Sequence, residues 1–405
     1  MSWNEIQIKD IGKVITGNTP PKNDSENYGG VYPFLKPTDM NIGERYTFLT
    51  DEFYSEKAFE KYKNSYIPPL STCVVTIGTI GEKMCLTHDW CFTNQSVNSV
   101  IPNIEKYDGM FIFYLLKYNL YQVKYANAGT SSGREHVNKT TFSNIKVNVP
   151  NSIETQKRIA SILSTYDDLI ENNLKRIKLL EETAQNIYKE WFVNFRFPNY
   201  EHTEFDAESG LPVGWEKKTI DAFAEVITGK TPSTANSNFY GGNIPFVKTP
   251  DMHDAPYVLS TSIYLSNEGA ESQNNKFLPK NSVMVSCIGT AGVVALASIN
   301  CQTNQQINSV RFDEEFKAFY FYGFARGLKP LLEGLGSNGA TMVNVNKSKF
   351  EKIELTIPDS DILKKHYALV KVIFDQILIL QEQNEKLKEA RDILLPRLMN
   401  RTIEV

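Results

Sequence analysis

The chain has little of what would tie it to a membrane, a disulfide framework or a metal. Its 405 residues include only five cysteines and no Cys-x-x-Cys pair, a usage that suits a reducing cytoplasm better than a disulfide scaffold. Cys91 and Cys301 read as small buried core residues. The five histidines (His88, His136, His202, His253 and His366) show no metal-ligand spacing. No apolar run approaches the ~20 residues of a membrane span, and Met1-Ser2-Trp3-Asn4-Glu5 lacks the basic and apolar stretches of a signal peptide. Positive charge is not in excess: 43 Lys and Arg against 47 Asp and Glu leave a net charge of −4. A stand-alone nucleic-acid binder is expected to be basic. Either the basic residues gather on one face, or a partner supplies much of any phosphate contact.

Catalytic signatures are missing too. No Gly-x-x-x-x-Gly-Lys-Ser/Thr phosphate loop is present, which argues against ATP hydrolysis. An Asp/Asn-Pro-Pro-Tyr/Phe stretch, needed to hold a flipped adenine, is replaced by Thr19-Pro20-Pro21-Lys22 and Ile67-Pro68-Pro69-Leu70. Gly133-Arg134-Glu135-His136 could form an acid/base cluster, but its counterpart Gly339-Ala340-Thr341-Met342 keeps none of those side chains.

What the chain does have is a second copy of itself. Trp3, Val14-Ile15-Thr16-Gly17-Asn18-Thr19-Pro20, Tyr28-Gly29-Gly30 and Pro33-Phe34-Leu35-Lys36 return as Trp215, Val226-Ile227-Thr228-Gly229-Lys230-Thr231-Pro232, Tyr240-Gly241-Gly242 and Pro245-Phe246-Val247-Lys248, each 212 positions later. Ile77-Gly78-Thr79 recurs as Ile288-Gly289-Thr290, and Cys91-Phe92-Thr93-Asn94-Gln95 as Cys301-Gln302-Thr303-Asn304-Gln305. Solenoid repeats run to a few tens of residues, so this period means two whole domains of one fold. Short β-branched stretches such as Cys73–Ile77 and Ser99–Ile101 read as strands. Gly78-Thr79-Ile80-Gly81 reads as a tight turn. Met110–Val123 and its counterpart Phe316–Leu332 read as amphipathic helices. Each domain is therefore α+β, closing on a strand and a proline at Pro150 or Pro358.

After each proline the pattern changes to a seven-residue repeat. Ile159, Leu163, Tyr166, Ile170, Asn173, Ile177, Leu180, Ala184, Ile187 and Trp191 lie at 4-3-4-3 spacing, as do Val370, Ile373, Ile377, Leu380, Asn384, Leu387, Arg391, Leu394 and Leu398. Such a pattern predicts a coiled-coil seam; the alternative is two amphipathic helices, each lying on its own domain. Chain order makes any pairing antiparallel, and Asn173 opposite Asn384 would fix its register. The expected boundaries are 1–150 for the first domain, 151–195 for the first helix and 196–214 for a linker. The second domain follows at 215–358 and the second helix at 359–400.

This order of parts resembles the specificity subunit of type I restriction–modification enzymes over essentially the whole chain. The most family-like stretches are Leu211-Pro212-Val213-Gly214-Trp215-Glu216, Ile187-Tyr188-Lys189-Glu190-Trp191-Phe192 and Leu394-Leu395-Pro396-Arg397-Leu398-Met399. The resemblance implies two target-recognition domains, each reading half of a bipartite site in double-stranded DNA. It implies a helical spacer that docks two methyltransferase subunits, joined by restriction/translocase subunits. S-adenosylmethionine, ATP and Mg would sit on those partners, with none held by this chain, and the location would be cytoplasmic. The repeat predicts inverted, related but unequal half-sites about one helical turn apart.

Side-chain chemistry nominates three loop regions for DNA, because Asn and Gln suit adenine, Arg and Lys suit guanine, and Lys, Arg, Ser and Thr suit phosphate. They are Lys36 and Lys248; Thr93, Asn94 and Gln95 with Thr303, Asn304 and Gln305; and Arg134, His136, Asn138 and Lys139 with Asn344, Asn346 and Lys347. Lys36 and Lys248 have an alternative role, as ion pairs with Asp39 and Asp251. The identity of the Asn-Gln pairs in both domains points first to a fold role. The third region differs most between the repeats, as carriers of half-site identity should. A protein-binding scaffold of the same shape, reading no DNA, is the competing reading that the neutral charge favours.

Overall fold

The computed structural model describes residues 2–126, 136–253, 255–336 and 343–405. The chain divides into two compact units, one of residues 1–170 with 386–405 and the other of residues 171–385.

In the first unit, β1 (Trp3–Gln7) leads through the short α1 (Ile8–Ile11) into β2 (Gly12–Thr16), β3 (Tyr28–Leu35) and β4 (Glu52–Tyr54). Helix α2 (Glu56–Tyr62) starts on Ser55, whose side chain accepts from the Ala58 N–H. Then come β5 (Thr72–Val75), β6 (Met84–Leu86), β7 (Phe92–Thr93) and β8 (Val97–Pro102). The main sheet is antiparallel in the order β2-β8-β5-β6, and a smaller one runs β4-β3-β7 with β3 and β7 parallel. Sequence beyond β8 is apolar at consecutive positions, Phe111 to Leu116, all buried. A helix apolar all round belongs inside a core. Accordingly the predicted amphipathic helix over 110–123 is two helices, α3 (Gly109–Tyr118), almost wholly buried, and α4 (Leu120–Tyr125). They break at Asn119, whose side-chain amide bonds the Leu115 carbonyl at 2.8 Å and so competes with the helical ladder. Helix α5 (Lys139–Ser143) precedes β9 (Lys146–Pro150), which pairs antiparallel with β1. Then α6 (Ile153–Tyr188) begins, relaxing into a π turn at Lys189–Val193.

The second unit repeats this plan. It contains β10 (Glu216–Thr219), α7 (Ile220–Phe223), β11 (Glu225–Thr228), β12 (Tyr240–Val247), β13 (Tyr257–Val258) and β14 (Tyr264–Leu265). Next come α8 (Asn267–Glu271), β15 (Val283–Ser286), β16 (Ile288–Gly289), β17 (Val294–Ala297), β18 (Gln302–Thr303) and β19 (Ile307–Arg311). The main sheet runs β11-β19-β15-β17-β13. The expected helix over 316–332 is again two, α9 (Ala318–Ala325) and α10 (Lys329–Gly336), parted by Arg326-Gly327-Leu328. Finally β20 (Val343–Asn344) pairs β16, α11 (Lys347–Glu351) leads to β21 (Glu354–Ile357) beside β10, and α12 (Ser360–Met399) closes the chain.

Each unit contains part of both long helices, running antiparallel. In the first unit Ile159, Ala160 and Leu163 share a core with Leu395, Leu398 and Met399, and Asp167 pairs with Arg391. In the second, Asn173 Nδ2 donates to Asn384 Oδ1 at 2.9 Å, and Trp191 lies against His366 with ring centroids 5.7 Å apart. Ile170, Asn173, Ile177, Val370, Ile377, Leu380, Asn384 and Leu398 are buried, while Leu180, Ile187, Trp191, Ile373, Leu387 and Leu394 are half-buried. Toward the end of α6 burial passes to Ala184, Tyr188 and Phe192. The reason is packing: Tyr188 and Phe192 both lie against Tyr320 of α9.

One buried feature that distinguishes the two units is ionic. Asp167 accepts from the Tyr114 hydroxyl at 2.5 Å and binds Arg391, with both ionised side chains only 4% exposed. Arg391 also bonds Asp392 at 2.9 Å, and neighbouring Arg45 pairs with Asp168 at 2.5 Å. In the register of Asn173 and Asn384, 211 positions apart, the matching positions in the second unit are Leu378, buried in its apolar core, and Leu180, packed against that core.

Candidate nucleic-acid interface

In both units the three candidate regions converge on the end of the main sheet where β2 or β11 finishes. The first link is the Asn94 N–H bonding the Leu35 carbonyl beside Lys36, matched by Asn304 N–H to Val247 beside Lys248. The second is the Thr76 N–H bonding the Ser96 carbonyl, and Cys287 N–H bonding Gln306. The third is the Val137 N–H bonding Thr76, and Val345 N–H bonding Cys287, both at 2.9 Å. The same backbone frame is thus built twice.

The middle region is a tight turn. Asn94 Oδ1 accepts from the Ser96 N–H at 3.0 Å, and Asn304 Oδ1 accepts from Gln306 N–H at 3.2 Å. This is the usual reason Asn occupies such turns. The turn puts Gln95 and Gln305 at its exposed tip. Thr93 and Thr303 were nominated as contacts, but their side chains are buried and face inward as part of β7 and β18. Both faces of these two-residue strands are covered, since Phe92 and Gln302 are buried as well. The repeated Val-Ile-Thr-Gly motif has a steric origin here: a Cβ at Gly17 would collide with the Thr93 carbonyl, and one at Gly229 with that of Asn304. The Tyr-Gly-Gly and Thr-Pro motifs hold each other, with Tyr28 Oη donating to the Pro20 carbonyl and Tyr240 Oη to that of Pro232, each at 2.7 Å.

The Lys36–Asp39 and Lys248–Asp251 ion pairs are not what forms. Each aspartate instead accepts from the backbone N–H of its lysine, at 2.7 and 2.8 Å. A carboxylate three residues on closes a local turn better through the main chain than through a long side chain. Lys36 Nζ binds Glu52 at 2.9 Å. Burial works to lower the Lys36 ammonium, but the hydrogen bond and charge of Glu52 outweigh it and raise its pKa. Lys248 has no side-chain partner among the described residues.

In the third region, His136 and Asn344 are exposed and form antiparallel bridges to Ile77 and Ile288. Asn138 and Asn346 cap α5 and α11, accepting from Thr141 N–H at 2.8 Å and Lys349 N–H at 3.0 Å. Their carbonyl oxygens therefore serve the fold. Lys139 is exposed, and Lys347 pairs with Glu351 at 3.3 Å. Arg134 lies outside the described residues.

Two residues that pin this frame escaped the sequence reading. Asn98 Oδ1 accepts from Thr16 Oγ1 at 2.6 Å, and its amide donates to Thr76 Oγ1 at 3.1 Å. Asn308 accepts from Thr228 at 2.6 Å and donates to the Val345 carbonyl at 3.2 Å. The signal was present in Val97-Asn98-Ser99-Val100 and Ile307-Asn308-Ser309-Val310, a polar residue inside the same apolar strand in both copies.

Comparison with known families settles what carries this frame. A family model described as type I restriction modification DNA specificity domain matches residues 1–182 and again residues 212–389. This chain belongs to that family. It is 32% identical over 319 residues to the type I restriction enzyme HindI specificity subunit of Haemophilus influenzae, covering 64% of this chain and 69% of that one. To the MjaIX specificity subunit of Methanocaldococcus jannaschii it is 27% identical, over 98% of this chain and 92% of the other. The crystal structure of a type I S subunit from M. genitalium shares the fold, with a TM-score of 0.58, 14% identity and coverage of 98% and 96%.

The cysteines of this type I specificity chain are unsuited to nucleophilic chemistry. All five are buried and unpaired in disulfides. Burial pushes the Cys287 thiol up to about 11 and that of Cys301 up to about 12, so neither is a thiolate near neutrality. Among the described residues no group of three or more His, Cys, Asp or Glu could hold a metal. No helix among them is long and apolar enough to cross a membrane.

Proposed function

We propose that this chain chooses the DNA site for a type I restriction–modification complex, each unit reading one half of a bipartite duplex sequence through the loop edge just described. The observation that carries the reading is the duplicated frame: one hydrogen-bonded edge, built twice on one chain, presents different exposed side chains in its two copies. Direct readout needs that combination, because the scaffold fixes register while the side chains meet base edges. Lys36, Lys139, Lys248 and Lys347 suit phosphates, as do the exposed amides of Gln95 and Gln305. The fold roles of Thr93, Asn94, Thr303 and Asn304 remove them from the contact set.

In this reading the chain catalyses nothing itself. The paired helices α6 and α12 carry methyltransferase subunits, with restriction/translocase subunits completing the assembly. Those partners hold S-adenosylmethionine, ATP and Mg, and the complex works in the cytoplasm. Buried, protonated thiols support the non-catalytic role. The test maps N6-methyladenine across a host genome by single-molecule sequencing, with and without a frameshift in this gene, the partner genes being expressed in both. Loss of methylation at one split motif on frameshift supports the reading. An unchanged map with active partners rejects it in favour of a protein-binding scaffold.

A further inference from the structure

The doubled frame allows position-by-position comparison of two edges that hold the same backbone in the same hydrogen bonds. Residues alike in both edges can only make contacts that both half-sites share, such as phosphates. Residues that differ at an equivalent, exposed backbone position can tell the half-sites apart. Gln95 and Gln305 are alike, as are Lys139 and Lys347. Among the equivalent positions that differ, two place an exposed polar side chain, unpartnered among the described residues, on the second edge.

The first position follows the repeated glycine. The Asn18 N–H bonds the Thr93 carbonyl at 2.9 Å, and the Lys230 N–H bonds the Thr303 carbonyl at 3.0 Å. The side chains diverge: Asn18 is half-buried and its amide donates to Ser65 Oγ at 3.0 Å. Lys230 is exposed, with no ion pair or side-chain hydrogen bond among the described residues. Next to it, Thr231 Oγ1 donates to Gln305 Oε1 at 2.7 Å, which orients the Gln305 amide nitrogen. The second position is the bridge residue, His136 against Ile77 in one unit and Asn344 against Ile288 in the other. Asn344 is exposed, and its side chain has no partner among the described residues.

We propose that Lys230 and Asn344 determine the sequence of the second half-site, and that His136 does so at the matching place in the first. This rests on the reading of these edges as DNA-facing. The chemistry suits opposite purines: a lysine ammonium donates to guanine O6 and N7, and an asparagine amide pairs bidentately with adenine N6 and N7. Their spacing suits one half-site. Lys230 follows β11 and Asn344 lies in β20, with β19 and the β15–β16 strand between them. The Asn308 side chain alone bridges Thr228 at the end of β11 and the carbonyl of Val345 next to Asn344, so the two positions belong to one patch of the edge.

The experiment installs the first unit's residues in the second, as Lys230→Asn, Asn344→His and the double variant. Each full-length chain is expressed with its partner methyltransferase, and N6-methyladenine is mapped on the host genome. Each single variant is expected to relax or change one base of the second half-site. The two affected bases should both lie in the second half-site, with the first half-site unchanged. Methylation of the original motif should fall roughly ten- to a hundredfold, the discrimination of one good base contact. His136→Asn should do the same to the first half-site alone. The proposal is overturned if both single variants and the double keep the original motif at wild-type level, or if the first half-site changes with the second. A variant that loses all methylation yet unfolds at the wild-type temperature also counts against it. Should one substitution unfold the chain, the other, on a different exposed element, decides. A frameshift that leaves the map intact would instead remove the DNA reading itself.

Discussion

Asn98 and Asn308 show how much a single buried amide can organise. Each ties the end of one strand to the two regions that flank it. Replacing Asn308 with alanine leaves the Thr228 hydroxyl and the Val345 carbonyl without their partner, a cost of about 1–3 kcal/mol. Chemical denaturation should show that loss. His366 makes a second case. It is 1% exposed, flanked by Trp191 and Phe192, and neither ring nitrogen has a hydrogen-bond partner. Burial pulls its pKa from 6.5 down to about 4. The unfolded chain therefore binds this proton more readily, and stability falls as pH drops through the interval from 6.5 to 4. Between pH 7 and pH 5 the contribution lost is about 2 kcal/mol. His366→Phe should flatten that part of the acid limb in urea melts at the two pH values. At this scale the sequence was only partly legible. Thr93 and Gln95 differ in no way that composition reveals, yet one faces the core and the other solvent because they occupy different positions around a turn. His366 lies four residues before Val370 and so continues the seven-residue pattern, which makes its burial readable from spacing; that Trp191 and Phe192 close over it and leave its nitrogens unpartnered is not.

At the scale of elements, the seam carries two polar features of different kinds. Asn173 and Asn384 are a like pair at repeat-equivalent positions, and Asn384 Nδ2 is left without a partner. That is a device that fixes register at a cost in stability. Asp167 and Arg391 are an unlike pair, buried with the Tyr114 hydroxyl. Arg391 also repels Lys117, whose pKa is lowered first by burial and then by that charge. Arg391→Leu alone should destabilise the chain by about 3–5 kcal/mol, because it abandons a buried carboxylate. Asp167→Leu alone should do likewise, while the double variant recovers most of the loss. A double-mutant cycle in guanidinium measures this directly. The seam itself could be read from spacing, since its period is set by backbone geometry. Two breaks could not. Helices α3 and α9 end early because Asn119 and Arg326-Gly327-Leu328 interrupt stretches whose apolar content continues past the break. Periodicity counts side chains and misses the amide that competes for the ladder.

At the scale of the whole chain, duplication was the most readable property, because it needs no energetics, only comparison. Net charge was the least informative. The cations proposed for phosphates are few, namely Lys36, Lys139, Lys248 and Lys347, and two of these are already paired within the fold. Counterion release scales with the number of phosphates neutralised. The isolated chain should therefore bind duplex with a log–log salt slope no steeper than about −5. Adding the methyltransferase partner should steepen it. Fluorescence anisotropy over a series of salt concentrations distinguishes the two.

The unlike pair also bears on inheritance. Two copies of one sequence within a gene invite recombination between them, and most of this repeat would survive it, because strands, turns and capping residues match. The long helices would not. A crossover that copied the later helix over the earlier one in the register of Asn173 and Asn384, 211 positions apart, would put leucine at position 167 and leave buried Arg391 without its Asp167 partner. The reciprocal event would put leucine at 391 and strand Asp167. A product weakened by about 3–5 kcal/mol is close to the whole margin by which a domain stays folded. The unlike pair thus makes exchange of the helices between the two halves costlier than exchange of their reading edges.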